Sequence, residues 1–116
     1  MSKWHNVKTR KDGFTFDSLD EAARYGELKL LERAGEITDL KIHTRHMLQE
    51  GFRYQGKWIR PIIYIDDFSY VENGQKVVED VKGSKKVMTA DFKIKRKMFI
   101  KRYCLGGDVD FRIVMP

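Results

Sequence analysis

The sequence predicts an α/β domain in which a central mixed β-sheet is flanked by helices. Three observations carry this. Ser18-Leu19-Asp20-Glu21 opens an amphipathic stretch that Gly35 closes, so both ends of a helix are marked by residues that cap one. Asn73-Gly74 separates two apolar-rich runs, and Asn-Gly is the strongest short hairpin signal because both central residues of a type I′ turn need positive φ. Thr89 then begins a second helical stretch, and Phe111-Arg112-Ile113-Val114 follows as an inner strand, the order of a layered α/β fold.

In chain order, Asn6 to Arg10 and Phe14 to Phe16 predict a short hairpin turning through Lys11-Asp12-Gly13. Lys3, Lys8, Arg10 and Lys11 make this first arm, residues 1–17, basic. It suits either a phosphate backbone or a solvated sheet edge. The first helix is expected from Leu19 to Ala34, with Leu19, Ala22, Ala23, Gly26, Leu30 and Ala34 as its core stripe. Glu21 completes the capping box, and Glu27 lies on the flank of the stripe.

Ile37 to Gln49 reads as containing one long strand, with Leu40, Ile42, Thr44, His46 and Leu48 on one side. His43 and His46 then fall on opposite faces, a poor metal pair, and read as ordinary surface or half-buried histidines. Gly51-Phe52-Arg53-Tyr54 and Trp58-Ile59-Arg60 predict a second hairpin through Gln55-Gly56-Lys57, ended by Pro61. Its aromatics suit cross-strand packing or stacking on bases. Ile62 to Ile65 should be a largely buried strand.

The second helix is expected from Thr89 or Asp91 to about Tyr103. Phe92, Lys95, Met98, Phe99 and Arg102 trace one side, and Lys93, Lys97 and Lys101 another. Like charges at four-residue steps repel one another, and a phosphate backbone would relieve them. Ser84-Lys85-Lys86-Val87-Met88 forms a polar connection expected over the active face.

At 116 residues the chain fits one domain, and no linker, repeat or low-complexity segment divides it. With 34% charged and 41% hydrophobic residues it is globular rather than disordered. A net charge of +6 points to a polyanionic partner, nucleic acid ahead of a membrane. Cys104 is the one cysteine, which excludes an intramolecular disulfide and a cysteine-based zinc site and fits a reducing cytoplasm. Met1-Ser2-Lys3-Trp4-His5 lacks the apolar core of a secretion signal, and no apolar run reaches a membrane-spanning length.

Pairing counted outward from Asn73-Gly74 sets Glu72 against Gln75, Val71 against Lys76, Ser69 against Val78 and Asp67 against Asp80. Two carboxylates directly opposite destabilise a hairpin unless a divalent cation lies between them. Lys82 shares the face of Asp80, whereas Glu79 and Val81 point the other way. A one-residue bulge would bring Asp66 to the site instead. Solvated charges on a surface hairpin are the alternative reading.

This constellation resembles the PD-(D/E)XK nuclease superfamily, in which an aspartate on one strand is followed by an acidic-x-Lys on the next. The matching residues are Asp67 and Asp80-Val81-Lys82; Asp66 stands where that family usually has proline. Many members carry a glutamate early in the first helix, seven residues before a leucine, as Glu21 and Leu28 are placed. The runs Phe16 to Gly35, Asp67-Phe68 and Glu79 to Gly83 look like a family of small phage-encoded proteins of uncharacterised function assigned to this superfamily. The size is similar to that of archaeal Holliday-junction resolvases.

The resemblance implies a restriction-endonuclease-like core and a Mg²⁺- or Mn²⁺-dependent DNA endonuclease. Asp67, Asp80, the Val81 carbonyl and Glu21 would hold the metal, and Lys82 would act on the water or the phosphate. Lys85, Lys86, Lys93, Lys97 and Lys101, with Lys8 and Arg10, would hold DNA, branched DNA included, in a homodimer in the cytoplasm, that of the host cell if the chain is phage-encoded. The rivals are a DNA-binding module with a degenerate nuclease fold and an RNA-binding domain using Phe52, Tyr54 and Trp58.

Overall fold

In a computed structural model, which describes residues 8–83 and 88–115, strands β1 (Thr9–Lys11) and β2 (Phe14–Phe16) form the first hairpin. Its turn is Asp12-Gly13, with φ of 52° and 83°, a two-residue turn rather than three. Asn6 and Lys3 of the expected arm lie outside the described residues. Helix α1 (Leu19–Arg33) begins as the capping box predicts: the Ser18 hydroxyl accepts from the Glu21 amide at 3.1 Å. It ends at Gly35, whose φ of +78° turns the chain away.

The buried face of α1 differs from the expected stripe. Glu21, Ala22, Tyr25 and Leu28 point inward, while Leu19 and Leu30 are exposed. The aromatic ring decides the rotation. Tyr25 lies 5.1 Å from Phe16 and 6.4 Å from Phe68, ring centre to ring centre, and burying a large ring outweighs burying small alanines. Glu21 comes inward with it, since residues four and seven apart share a face.

Strands β3 (Thr38–Ile42) and β4 (Arg45–Gln49) replace the single long strand that was expected. After the hairpin of β5 (Phe52–Tyr54) and β6 (Lys57–Ile59), the chain returns as β7 (Ile62–Ile65) and β8 (Phe68–Glu72). β4 pairs with β7 and β3 with β8, so the two paths form one antiparallel ribbon. The ribbon kinks at His43, where φ is +56°, opposite Asp66-Asp67. Two backbone bonds cross the kink, His43 N–H to the Asp67 carbonyl at 3.3 Å and Asp66 N–H to the Thr44 carbonyl at 3.0 Å. The kink redirects the side chains: Leu40 and Ile42 join the core on one side of the sheet, Leu48 the core on the other.

β9 (Gln75–Val81) follows the Asn73-Gly74 turn, with φ of 52° and 77°, and its register matches the sequence count as far as Phe68 and Glu79, short of the expected pairing of Asp67 with Asp80. Helix α2 (Ala90–Phe99) is capped by Thr89, whose hydroxyl accepts from the Phe92 amide at 3.0 Å, and continues as a π-helical turn, Ile100–Cys104. That turn is fixed to β4, Tyr103 donating to the Met47 carbonyl at 2.6 Å. β10 (Val109–Val114) runs parallel to β9.

The sheet order is β10-β9-β8-β3, mixed in direction, with a helix on each face. The molecule is thus a mixed α/β fold. β10 is an edge strand, not an inner one: it pairs with β9 alone among the described strands. β7 is also less buried than expected, with Tyr64 inside and Ile65 exposed. Phe16, Tyr25, Leu28, Phe68 and Val77 pack beneath α1; Tyr64, Val78, Phe92 and Phe99 pack beneath α2. No helix among the described residues is long and apolar enough to cross a membrane.

Alternation along β9 sends Val77 and Glu79 toward α1 and Val78 and Asp80 toward α2. Glu79 is fully buried. Arg24 of α1 grips it with two bonds, at 2.9 and 2.6 Å, and Tyr70 donates a third. Removing the guanidinium leaves a buried carboxylate without its counter-charge. Arg24→Ala should therefore cost about 3 kcal/mol in urea unfolding, whereas Lys29→Ala, which breaks a half-exposed pair with Glu32, should cost less than about 0.5 kcal/mol.

Candidate functional site

The ribbon kink, the start of α1 and the end of β9 converge on Asp67. The ladder of β8 and β9 is regular as far as Phe68 and Glu79, one step short of the predicted pairing of Asp67 with Asp80. There it slips: the Asp67 amide donates to the Glu79 carbonyl at 3.1 Å, and the Asp67 carboxylate accepts from the Val81 amide at 2.6 Å. Asp67 consequently stands between the two layers, not squarely on the face of Asp80.

On the α1 side are Glu21 and His43. His43 Nε2 and Glu21 Oε1 are 2.7 Å apart. Ligand atoms of Glu21, His43 and Asp67 all lie within 4.8 Å of one another, so the three can together hold a metal ion. On the α2 side, Asp80 accepts from the Tyr64 hydroxyl at 2.5 Å and pairs with Lys82 at 3.0 Å. The Lys82 ammonium also lies 3.9 Å from the centre of the Phe92 ring, which fixes it against the first turn of α2.

Asp66 does not enter the cluster, despite the slip in register. It is fully buried, accepts from the Thr44 amide at 2.9 Å and lies 2.7 Å from His46 Nε2. The two histidines thus do not form a pair, as expected, but each is matched to an acid. His43 is the residue that the strand reading missed, because a straight strand gives it no route to Glu21. Glu27, the flank candidate, is exposed and bonds Arg24 instead.

The electrostatics single out Asp67. Burial, then the negative charges of Asp80 and Glu21, push its carboxyl up to about 8; the Val81 amide and Lys82 oppose this without cancelling it. Burial also raises Glu21, against the His43 bond. A site that crowds acids until one holds its proton near neutral pH is suited to a cation that would displace that proton.

Among the residues expected to hold a polyanion, Lys8, Arg10, Lys93, Lys97 and Lys101 are exposed. Lys95, by contrast, lies 3.6 Å from Asp91. Lys85 and Lys86 lie outside the described residues.

The chain belongs to a family described as a protein of unknown function, DUF1064, which it matches over residues 1–111. Comparison with curated proteins and with solved structures gave no match.

The raised Asp67 carboxyl has a consequence for stability. Its proton is held more tightly in the folded chain, up to about 8, than in the unfolded chain, near 3.9. The stabilisation is complete below the lower value and is lost as pH rises toward the upper one. In EDTA the protein should melt lower at about pH 8 than at about pH 6, by roughly 5 °C per pH unit. Asp67→Asn should flatten that slope, and a wild-type melting temperature that rose with pH would contradict the account.

Proposed function

We propose that this chain is a metal-dependent DNA endonuclease that hydrolyses phosphodiester bonds and selects its substrate by structure, in the manner of a Holliday-junction resolvase, in phage recombination, replication or packaging. The observation that carries the reading is Asp67, with Glu21 and His43 on one side of it and Asp80 and Lys82 on the other. Further support comes from topology. The order helix, two antiparallel strands and a third, helix, parallel strand agrees with the core implied by the resemblance to the PD-(D/E)XK superfamily.

The donor set fits a hard divalent cation, Mg²⁺ or Mn²⁺, because it is rich in carboxylate oxygen. Asp67, Asp80 and Glu21 would hold it, with the Val81 carbonyl as a further oxygen. Such a cation supplies Lewis-acid polarisation of the phosphate and a water of lowered pKa. His43 fixes the orientation of Glu21, as a partner that aims a ligand does. Lys82, held by Asp80 and Phe92, presents a positive charge where negative charge develops on the phosphoryl oxygens. Lys93, Lys97 and Lys101 hold backbone phosphates, with Lys8 and Arg10 as a second basic patch. None of these groups reads base edges, which favours selection by DNA shape. A homodimer would present two such sites to a branched substrate, in the cytoplasm.

The test is incubation with four-way, flapped, nicked and linear DNA in Mg²⁺ and in EDTA. Branched DNA should be cut in Mg²⁺ alone. Asp80→Asn and Lys82→Ala should each slow cutting by about a hundredfold or more, with DNA binding retained. His43→Ala should raise the Mg²⁺ needed for half-maximal rate by about 10–100-fold. A protein that binds all four DNAs and cuts none is a DNA-binding module, and the enzyme reading fails.

A further inference from the structure

The hairpin of β5 and β6 is built unlike the rest of the molecule. Its strands pack on each other and on no other helix or strand to a comparable extent. Phe52, Tyr54 and Trp58 are respectively 45%, 62% and 56% exposed on it. Large rings in water are unusual where a core lies within reach, and these have been kept out of both cores.

The register distributes the rings over both faces. Phe52 and Tyr54 share one face with their cross-strand partners Ile59 and Lys57; Trp58 lies opposite Arg53 on the other. Trp58 is held in place by Gly51: a Cβ at that glycine would stand 2.4 Å from the indole, so the ring rests directly on the backbone. Residues 51–60 contain Arg53, Lys57 and Arg60 and no acid. Rings interleaved with uncompensated cations match a strand of negatively charged phosphates carrying flat bases, and do not match an apolar protein surface.

We infer that the β5–β6 arm is a stacking platform for unpaired nucleotides, so that the substrate carries single-stranded DNA beside the phosphate to be cut. The inference rests on the nuclease reading for the choice of DNA. Trp58 precedes Asp67 by nine residues, with the strand β7 between them, which allows a reach of up to about 30 Å. The unpaired bases therefore lie within about nine nucleotides of the cut.

The experiment uses the full chain in EDTA, a labelled single-stranded DNA of about 20 nucleotides and the matching duplex. Fluorescence anisotropy should show Tyr54→Ala and Trp58→Ala each weakening single-strand binding by about tenfold, and the pair by about a hundredfold, with duplex binding unchanged. Both residues are more than half exposed, so thermal melts should confirm that the variants fold. Equal losses for the two DNAs would overturn the inference, as would unchanged single-strand binding in a variant that has instead lost a dimer. Cleavage is scored separately with Asp80→Asn. Ring-dependent binding without any cutting defeats the nuclease reading alone, and cutting without ring-dependent binding defeats the arm alone.

Discussion

Carboxylates gathered inside a small fold must each find a donor or keep a proton, and that constraint organises this molecule. Glu21, Asp66, Glu79 and Asp80 are all buried. Each is answered: Glu21 by His43, Asp66 by His46 and the Thr44 amide, Glu79 by Arg24 and Tyr70, Asp80 by Lys82 and Tyr64. Asp67 is answered by the Val81 amide, while its charged neighbours include two of these same acids. Burying charge without a partner costs several kcal/mol, so among the described residues the surroundings of Asp67 are where a cation would offset the most repulsion. The rotation of helix α1 that buries Tyr25 also brings Glu21 inward, and the sheet is kinked to bring His43 across. Both adjustments serve the same crowded point.

The kink itself is held against a local preference. A non-glycine residue at positive φ costs of the order of 1–3 kcal/mol, and His43 adopts +56°. Bonds from the Asp67 carbonyl to the His43 amide and from Asp66 to both the backbone and the side chain of its partners fix it there. One distortion thereby separates two aspartate–histidine associations. Asp66 and His46 go to the α2 layer, where His46 meets Phe99 edge-on at 5.1 Å. His43 goes to the α1 layer with Glu21, within reach of Asp67 between the layers. Neighbouring residues on one strand would reach opposite faces anyway; the kink changes which of them share a layer with the helix glutamate.

The parts of this arrangement written in short-range code were legible before any coordinates. Asn73-Gly74 carries its own φ requirement, so the register from Glu72–Gln75 to Phe68–Glu79 could be counted residue by residue. The Ser18 cap and the Gly35 stop bound α1 for the same reason. The kink was not legible, because Ile42-His43-Thr44-Arg45 contains neither glycine nor proline to announce it. The orientation of α1 was lost when small apolar residues were counted and Tyr25 was not. The edge position of β10 depends on which strand lies beside it, which an apolar run such as Phe111-Arg112-Ile113-Val114 does not encode. Glu21 is singled out in the sequence by the capping box and by the resemblance, yet its partner His43 is set by tertiary geometry alone.

The balance of charge imposes an order on the proposed reaction. The chain as a whole is at +6, which would favour the approach of the proposed polyanion, but the acids around Asp67 would repel its phosphate at the last few ångströms. Lys82 offsets part of that repulsion and is itself shared with Asp80. On the proposed function a phosphate would approach the cluster favourably only with a cation held there, which would offset most of the acids' negative charge. The exposed lysines of α2 and the β5–β6 arm would act away from this point and be free of that condition. On the proposed function, binding of DNA without metal and cutting of DNA with it would belong to separate parts of one small fold.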